Sequence, residues 1–212
     1  MHKEIVLESP CPRLSPRAQA QSALTGRVYL GARSFSAGAG GIARVARLMA
    51  RVLAEEHEDA RRAVRAVAVE DTAPCHLDGV PVVAKNRSIW RFVADVQRAQ
   101  LRYTHFLYDE LSMARAHTAL PLRRPCLSFF HGIEVWEHGL ADRVRCARKV
   151  DLLVTNSVYT RARADRVHGG FERARVCWLG TEDDAPPRCV ADFSGPPVVL
   201  MVGRLHAGRD KG

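Results

Sequence analysis

What this chain lacks narrows it first. Of its 212 residues only 7% are aromatic, and acidic side chains are in deficit, 23 Asp and Glu against 32 Lys and Arg, for a formal net charge of +9. Long hydrophobic runs are missing. The longest, residues 198–202, falls far short of the roughly 20 residues a membrane-spanning helix needs. Met1, His2, Lys3 and Glu4 lead into no apolar stretch, so a signal peptide is not indicated. The expectation is a cytoplasmic protein, peripheral at most to the inner face of the membrane. No C-x-x-C pair and no Cys/His cluster with zinc spacing occurs, which argues against a structural metal. Cys11, Cys75, Cys126, Cys146, Cys177 and Cys189 are scattered and read as reduced, mostly buried thiols. A Walker G-K-[ST] and a G-x-S-x-G elbow are both absent. Basic and aromatic residues do not interleave and no nucleic-acid motif appears, so no nucleic-acid partner is expected despite the charge.

What is present reads as a globular protein: 47% apolar and 26% charged residues. Residues 1–26, with Pro10, Pro12 and Pro16, read as a loose leader. From Arg27 the texture alternates between apolar strands and helical periodicity. Strands are expected over 28–32, 64–69, 103–108, 126–130, 151–155 and 175–179. Helices are expected after Gly41, over 89–101, 109–120 and 138–149, and after an N-cap at Ser157. In the first helix Ile42, Val45, Met49, Val52 and Leu53 form the expected core face, with Arg44, Arg47 and Arg51 on a solvated one. Residues 72–81 read as a connection. Residues 183–197, rich in Pro and Gly, read as a linker, and 198–212 as the start of a second, truncated domain. This order predicts an α/β fold with a doubly wound, Rossmann-like parallel sheet over 27–182.

Ligands of such sheets sit at the carboxyl ends of the strands. That rule selects three places. Gly38-Ala39-Gly40-Gly41 precedes a helix, where glycines admit a ligand to the backbone and the helix N-terminus offers N–H groups to a phosphate. The same turn also serves as a simple tight connection, and it lacks the third glycine of G-x-G-x-x-G. His131-Gly132-Ile133-Glu134 ends a strand. His131 there suits a substrate hydroxyl or a proton shuttle, or ties down its loop. Glu134 suits the ordering of a helix start or a contact with ligand. Ser157 ends the next strand. Beyond the linker, Arg204 and Lys211 can bind a diphosphate and stabilise the charge of a departing phosphate, or are surface cations. Glu70 and Asp71, ending the second strand, keep a different Rossmann-type enzyme open, because an acid at that place can hold a ribose. A basic run, Arg143, Arg145, Arg148 and Lys149, is the candidate contact with anionic lipid.

In this order the segments resemble family 4 nucleotide-sugar glycosyltransferases of the GT-B fold. ARSFSAGAGGIARVARLMARVLAEE resembles the family's first strand, glycine loop and helix. RPCLSFFHGIEVWE resembles its strand ending in HG, and VDLLVTNSVYTRARAD the strand that ends in a serine before a helix. RVCWLGTEDD resembles the exit from the first domain, and VVLMVGRLHAGRDKG the phosphate-binding turn of the second. The resemblance implies a retaining transferase that moves sugar from a nucleotide-sugar donor to an acceptor glycan, lipid-linked species or small molecule, without a cofactor or required metal. Gly40, Gly41, Arg204 and Lys211 would face the donor diphosphate and His131 the transferred sugar, with the first domain holding the acceptor. The family's second domain carries a pair of glutamates that have no counterpart here, so a non-catalytic remnant or binding module is the other expectation.

Overall fold

The computed structural model describes residues 26–117, 124–136 and 141–179. Most of the expected leader and all of the expected linker over 183–197 and second-domain segment over 198–212 lie outside these residues, as do Arg204 and Lys211. The strands are β1 (Val28–Ala32), β2 (Val64–Ala68), β3 (Cys75–Leu77), β4 (Val80–Ala84), β5 (His105–Tyr108), β6 (Cys126–Phe130), β7 (Leu152–Thr155) and β8 (Arg175–Val176). They form one sheet in the order β3-β4-β2-β1-β5-β6-β7-β8. Every pairing is parallel except β3 with β4. The helices are α1 (Gly41–Glu56), α2 (Ala60–Ala63), α3 (Ile89–Ala99), α4 (Leu111–Ala114), α5 (Ala141–Lys149) and α6 (Val158–His168). This is the expected doubly wound α/β architecture.

The central strands are apolar on both faces because helices cover both. β1 is buried throughout. On one face Leu30, Ala66 and Ala68 pack against Ala46, Ala50 and Leu53 of α1. On the other, Tyr29, Val67, Phe106 and Phe130 pack with Phe92 and Val96 of α3 and Cys146 of α5. Gly31 is where the chain needs its smallest residue: a Cβ there would lie 2.8 Å from the Tyr108 ring.

Several expectations are corrected. The core face of α1 is built on Ala43, Val45, Ala46, Ala50 and Leu53, while Val52 is 55% exposed. Val45 and Leu53 belong to that face as expected and Met49 packs at its edge, while the alanines let the helix approach the sheet closely and Val52 faces out. Arg47 is not merely solvated, since it donates to the carbonyls of Phe35 and Ser36. Residues 72–81 are not a plain connection. They hold β3 and the start of β4, joined at Asp78 (φ 49) and Gly79 (φ 88), which is two-residue hairpin geometry. The helix expected from residue 109 starts at Leu111, with Glu110 at its N-cap position and no side-chain cap. The last strand stops at Val176, which leaves Cys177 outside it and exposed. Cys75 is exposed too, and only Cys126 and Cys146 of the four described thiols are buried.

Candidate functional site

The order of the sheet fixes where a ligand can sit. From β1 the chain moves outward to β2 in one direction, and β5, β6 and β7 extend in the other. The topological switch therefore lies between β1 and β5, and ligands of such sheets sit at the carboxyl ends of the strands there. Arg33 and Ser34 leave β1 there, and Asp109 and Glu110 leave β5.

The loop after β1 is held by its first residues. Asp71, at the end of β2, accepts hydrogen bonds from the hydroxyls of Ser34 and Ser36 on one carboxylate oxygen and from the Phe35 N–H (2.9 Å) on the other. Beyond those anchors the backbone is open. Residues Ala37–Ala39 make one 3-10 turn, and Gly40 adopts φ 98, ψ −167, a conformation that essentially only glycine takes. A Cβ on Gly38 or Gly41 would meet nothing within 4 Å. No side chain caps α1, so its first-turn N–H groups keep the partial positive charge that attracts an anion. The expected glycine turn is thus an open loop before a long helix.

The loop after β6 is closed instead. His131 is buried, and its Nε2 lies 2.8 Å from the Asp109 carbonyl oxygen. A carbonyl only accepts, so Nε2 carries the proton. Burial lowers the His131 pKa, which keeps the ring neutral near pH 7 and makes Nδ1 its acceptor. Glu134 reaches back across the turn. One carboxylate oxygen accepts from the His131 N–H (2.7 Å), the other from the Leu111 N–H (3.1 Å). Burial pushes the Glu134 carboxyl up to about 7, against the lowering effect of the His131 N–H. Gly132 is obligatory for packing, because a Cβ would lie 2.0 Å from the Trp136 indole. That indole is packed in turn by Tyr159 and Arg163 of α6.

Asp109 joins the two loops. One of its carboxylate oxygens accepts from the Arg33 N–H (2.9 Å) while its carbonyl receives the His131 ring. Its other oxygen is buried without a partner among the described residues, and burial followed by the nearby Glu110 raises its pKa strongly. Arg33 pairs with Glu70 (2.8 Å) and lies 3.7 Å from Glu110. A hydrogen-bonded path therefore crosses the switch point from β1 through β5 to β6.

Of the residues expected from sequence, Gly40, Gly41, His131 and Glu134 lie along this path and its two loops. Ser157 stands one strand further out, where its hydroxyl is engaged in the cap of α6: it accepts the Thr160 N–H and donates to the Thr160 hydroxyl. Beside the β1 loop a cleft of about 550 Å³ is lined by Ser34, Ser36, Glu70, Asp71, Thr72 and Arg87, among others. Both oxygens of Asp71 already face the loop, which leaves it poorly placed to hold a ribose. Sequence reasoning missed the roles of Ser34, Asp109 and Trp136. The available signal for Asp109 was an acid immediately after a buried strand. Among the described residues no group of His, Cys, Asp and Glu suits a metal ion.

No protein-family model matches the chain, and no curated protein matches it. Solved structures do. Those of Anabaena Alr3699/HepE with UDP, with UDP and glucose, and with UDP-glucose are similar at 17%, 20% and 19% identity, with TM-scores of 0.53, 0.53 and 0.52. The likeness covers 73%, 72% and 73% of this chain but 44% of each Anabaena chain, so the chain spans less than half their length. At such identity the likeness is one of fold, and the described residues have the fold of a Rossmann-like GT-B domain.

Proposed function

We propose that this chain is the acceptor-side part of a nucleotide-sugar glycosyltransferase, a retaining enzyme of the family 4 kind. The observation that carries the reading is the pairing, across the switch point, of an open glycine loop at an uncapped helix with a neutral, buried histidine. Solved structures of the same fold hold UDP and UDP-glucose, which supports a nucleotide sugar as donor.

In this reading the Gly40 and Gly41 backbone meets the donor diphosphate; for Arg204 and Lys211, outside the described residues, a diphosphate-binding role rests on the family resemblance alone. The bond between the anomeric carbon and the diphosphate oxygen breaks, and the charge that develops on the leaving group falls to these donors. His131 offers Nδ1 to a hydroxyl of the transferred sugar. Its Nε2 proton is fixed on the Asp109 carbonyl, so the ring acts as a positioned acceptor. The acceptor's oxygen forms the new bond from the cleft beside Ser36, Thr72 and Arg87, and its proton leaves with the phosphate. Glu134 acts through His131 as a positioning residue.

The test is UDP release from UDP-glucose by the full-length protein, with and without His131→Ala. A loss of at least ~100-fold in turnover, with the circular dichroism spectrum retained, is expected for removal of a group that contacts the reacting sugar. Unchanged turnover removes the role assigned to His131.

A further inference from the structure

The outer face of α3 joins exposed apolar side chains to charges of one sign. At about 100° per residue, Trp90, Arg91, Arg98 and Leu101 fall within an arc of roughly 100°, with Arg102 at its border, when the helix is continued through its last turn. Phe92, Val96 and Ala99 occupy the opposite arc and are buried. Trp90 is 79% exposed and Leu101 is 70% exposed. They stand eleven positions apart, nearly in line and separated by about 16 Å along the axis. Arg91, Arg98 and Arg102 are exposed, and their side chains have no ion-pair partner among the described residues. Asp95 is the one acid of the helix. Its carboxylate is 15% exposed and engaged by Arg65 (3.0 Å) and Lys85 (3.1 Å).

A solvated face has no use for a tryptophan and a leucine in line. Tryptophan and arginine are enriched at protein interfaces as well, so the sign of the charge has to choose the occupant. Here the charge is of one sign, beside an amphipathic aromatic and an aliphatic side chain. This is the composition of a surface that lies in the headgroup region of an anionic bilayer. A cleft of about 290 Å³ is lined by Arg65, Arg98 and Arg102 and by Asp95, whose charge Arg65 and Lys85 offset, with Leu101 and Tyr103 beside them; it is large enough for one phosphodiester headgroup. Leucine gains nothing from a nucleobase, whereas it gains from acyl chains, so lipid fits the set better than nucleic acid.

We propose that α3 docks the protein on an anionic phospholipid surface, with Arg91, Arg98 and Arg102 meeting headgroup phosphates and Trp90 and Leu101 entering the interface. This inference is independent of sugar transfer. It moves the lipid contact from α5, where sequence reasoning put it, to α3. On α5 Arg145 pairs with Asp142, Arg148 donates to the His168 carbonyl, and the apolar residues Val144, Cys146 and Ala147 are buried.

The test is co-sedimentation of the full-length protein with vesicles of phosphatidylcholine alone and of phosphatidylcholine with 30% phosphatidylglycerol, at low and high salt. Expected is binding to the anionic vesicles only, weakened by salt. Arg98→Glu with Arg102→Glu should lower the partition coefficient at least tenfold, and Trp90→Ser with Leu101→Ser severalfold. Arg145→Glu with Arg148→Glu should change it less than twofold. All these side chains are exposed, and Arg98→Gln with Arg102→Gln provides a milder pair if charge reversal impairs folding. No binding to anionic vesicles overturns the proposal. So does binding that survives both α3 pairs, or binding lost with the α5 pair alone. Tighter binding to a single-stranded RNA oligonucleotide than to vesicles, unaffected by Trp90→Ser with Leu101→Ser, assigns the face to nucleic acid instead.

Discussion

The loops after β1 and β6 end neighbouring parts of one sheet edge, yet they are built in opposite ways. The first is fixed at its root by Asp71 and then leaves its backbone open, with room at Gly38 and Gly41 for atoms that are not the protein's own. The second is buried and clamped from both sides by Glu134, and its glycine is filled to contact by Trp136. Glycine thus does two different things within this edge. In the first loop it provides unusual backbone geometry and space, and in the second it makes way for an indole. A loop that admits a ligand by its N–H groups needs slack, while a loop that offers one imidazole nitrogen needs rigidity.

Substitutions at the glycines test this contrast most sharply. Gly132→Ala should cost the most, about 1–3 kcal/mol, because the added methyl overlaps an indole that Tyr159 and Arg163 hold in place. Chemical denaturation checks it, and a variant as stable as the parent would mean that Trp136 is free to move. Gly40→Ala should cost about 1–2 kcal/mol, because its φ 98, ψ −167 is a conformation that a residue with a Cβ adopts only under strain. Gly41→Ala is the counterpart, and its stability should stay within about 0.5 kcal/mol of the parent. Equal losses at 40 and 41 would erase the distinction between conformation and space.

A further effect concerns pH. Glu134 is raised from 4.5 to about 7, so the folded state holds its proton where the unfolded state has released it. The folded state therefore binds more protons between those values, and stability falls as pH rises through that window. Burial of Asp109 raises its pKa too, which adds a slope of the same sign. Glu134→Gln should flatten the stability–pH curve between about 4.5 and 7. An unchanged slope would mean that Glu134 titrates as an ordinary carboxylate.

The parts of this molecule that were legible in its sequence are those governed by local pattern. β1 and β6 were expected with their observed bounds, since parallel strands buried on both faces read as apolar runs with abrupt polar ends. The cap at Ser157 was equally local. The hairpin of β3 and β4 was missed because Cys75 and His76 are exposed and Pro81 discourages a strand, although Asp78-Gly79 is a hairpin signal. His131 could be picked out because it directly follows a strand. The work of Asp71 and Asp109 could not. Their partners at Phe35 and Arg33 lie 36 and 76 positions away, and only the crossover topology brings them together.

The most direct measurement is a crystal structure of the full-length protein with UDP-glucose. The account predicts the diphosphate within hydrogen-bond distance of the Gly40 or Gly41 N–H and the glucose within reach of the His131 ring. A nucleotide bound with its ribose on Glu70 and Asp71, and its sugar remote from His131, would contradict it.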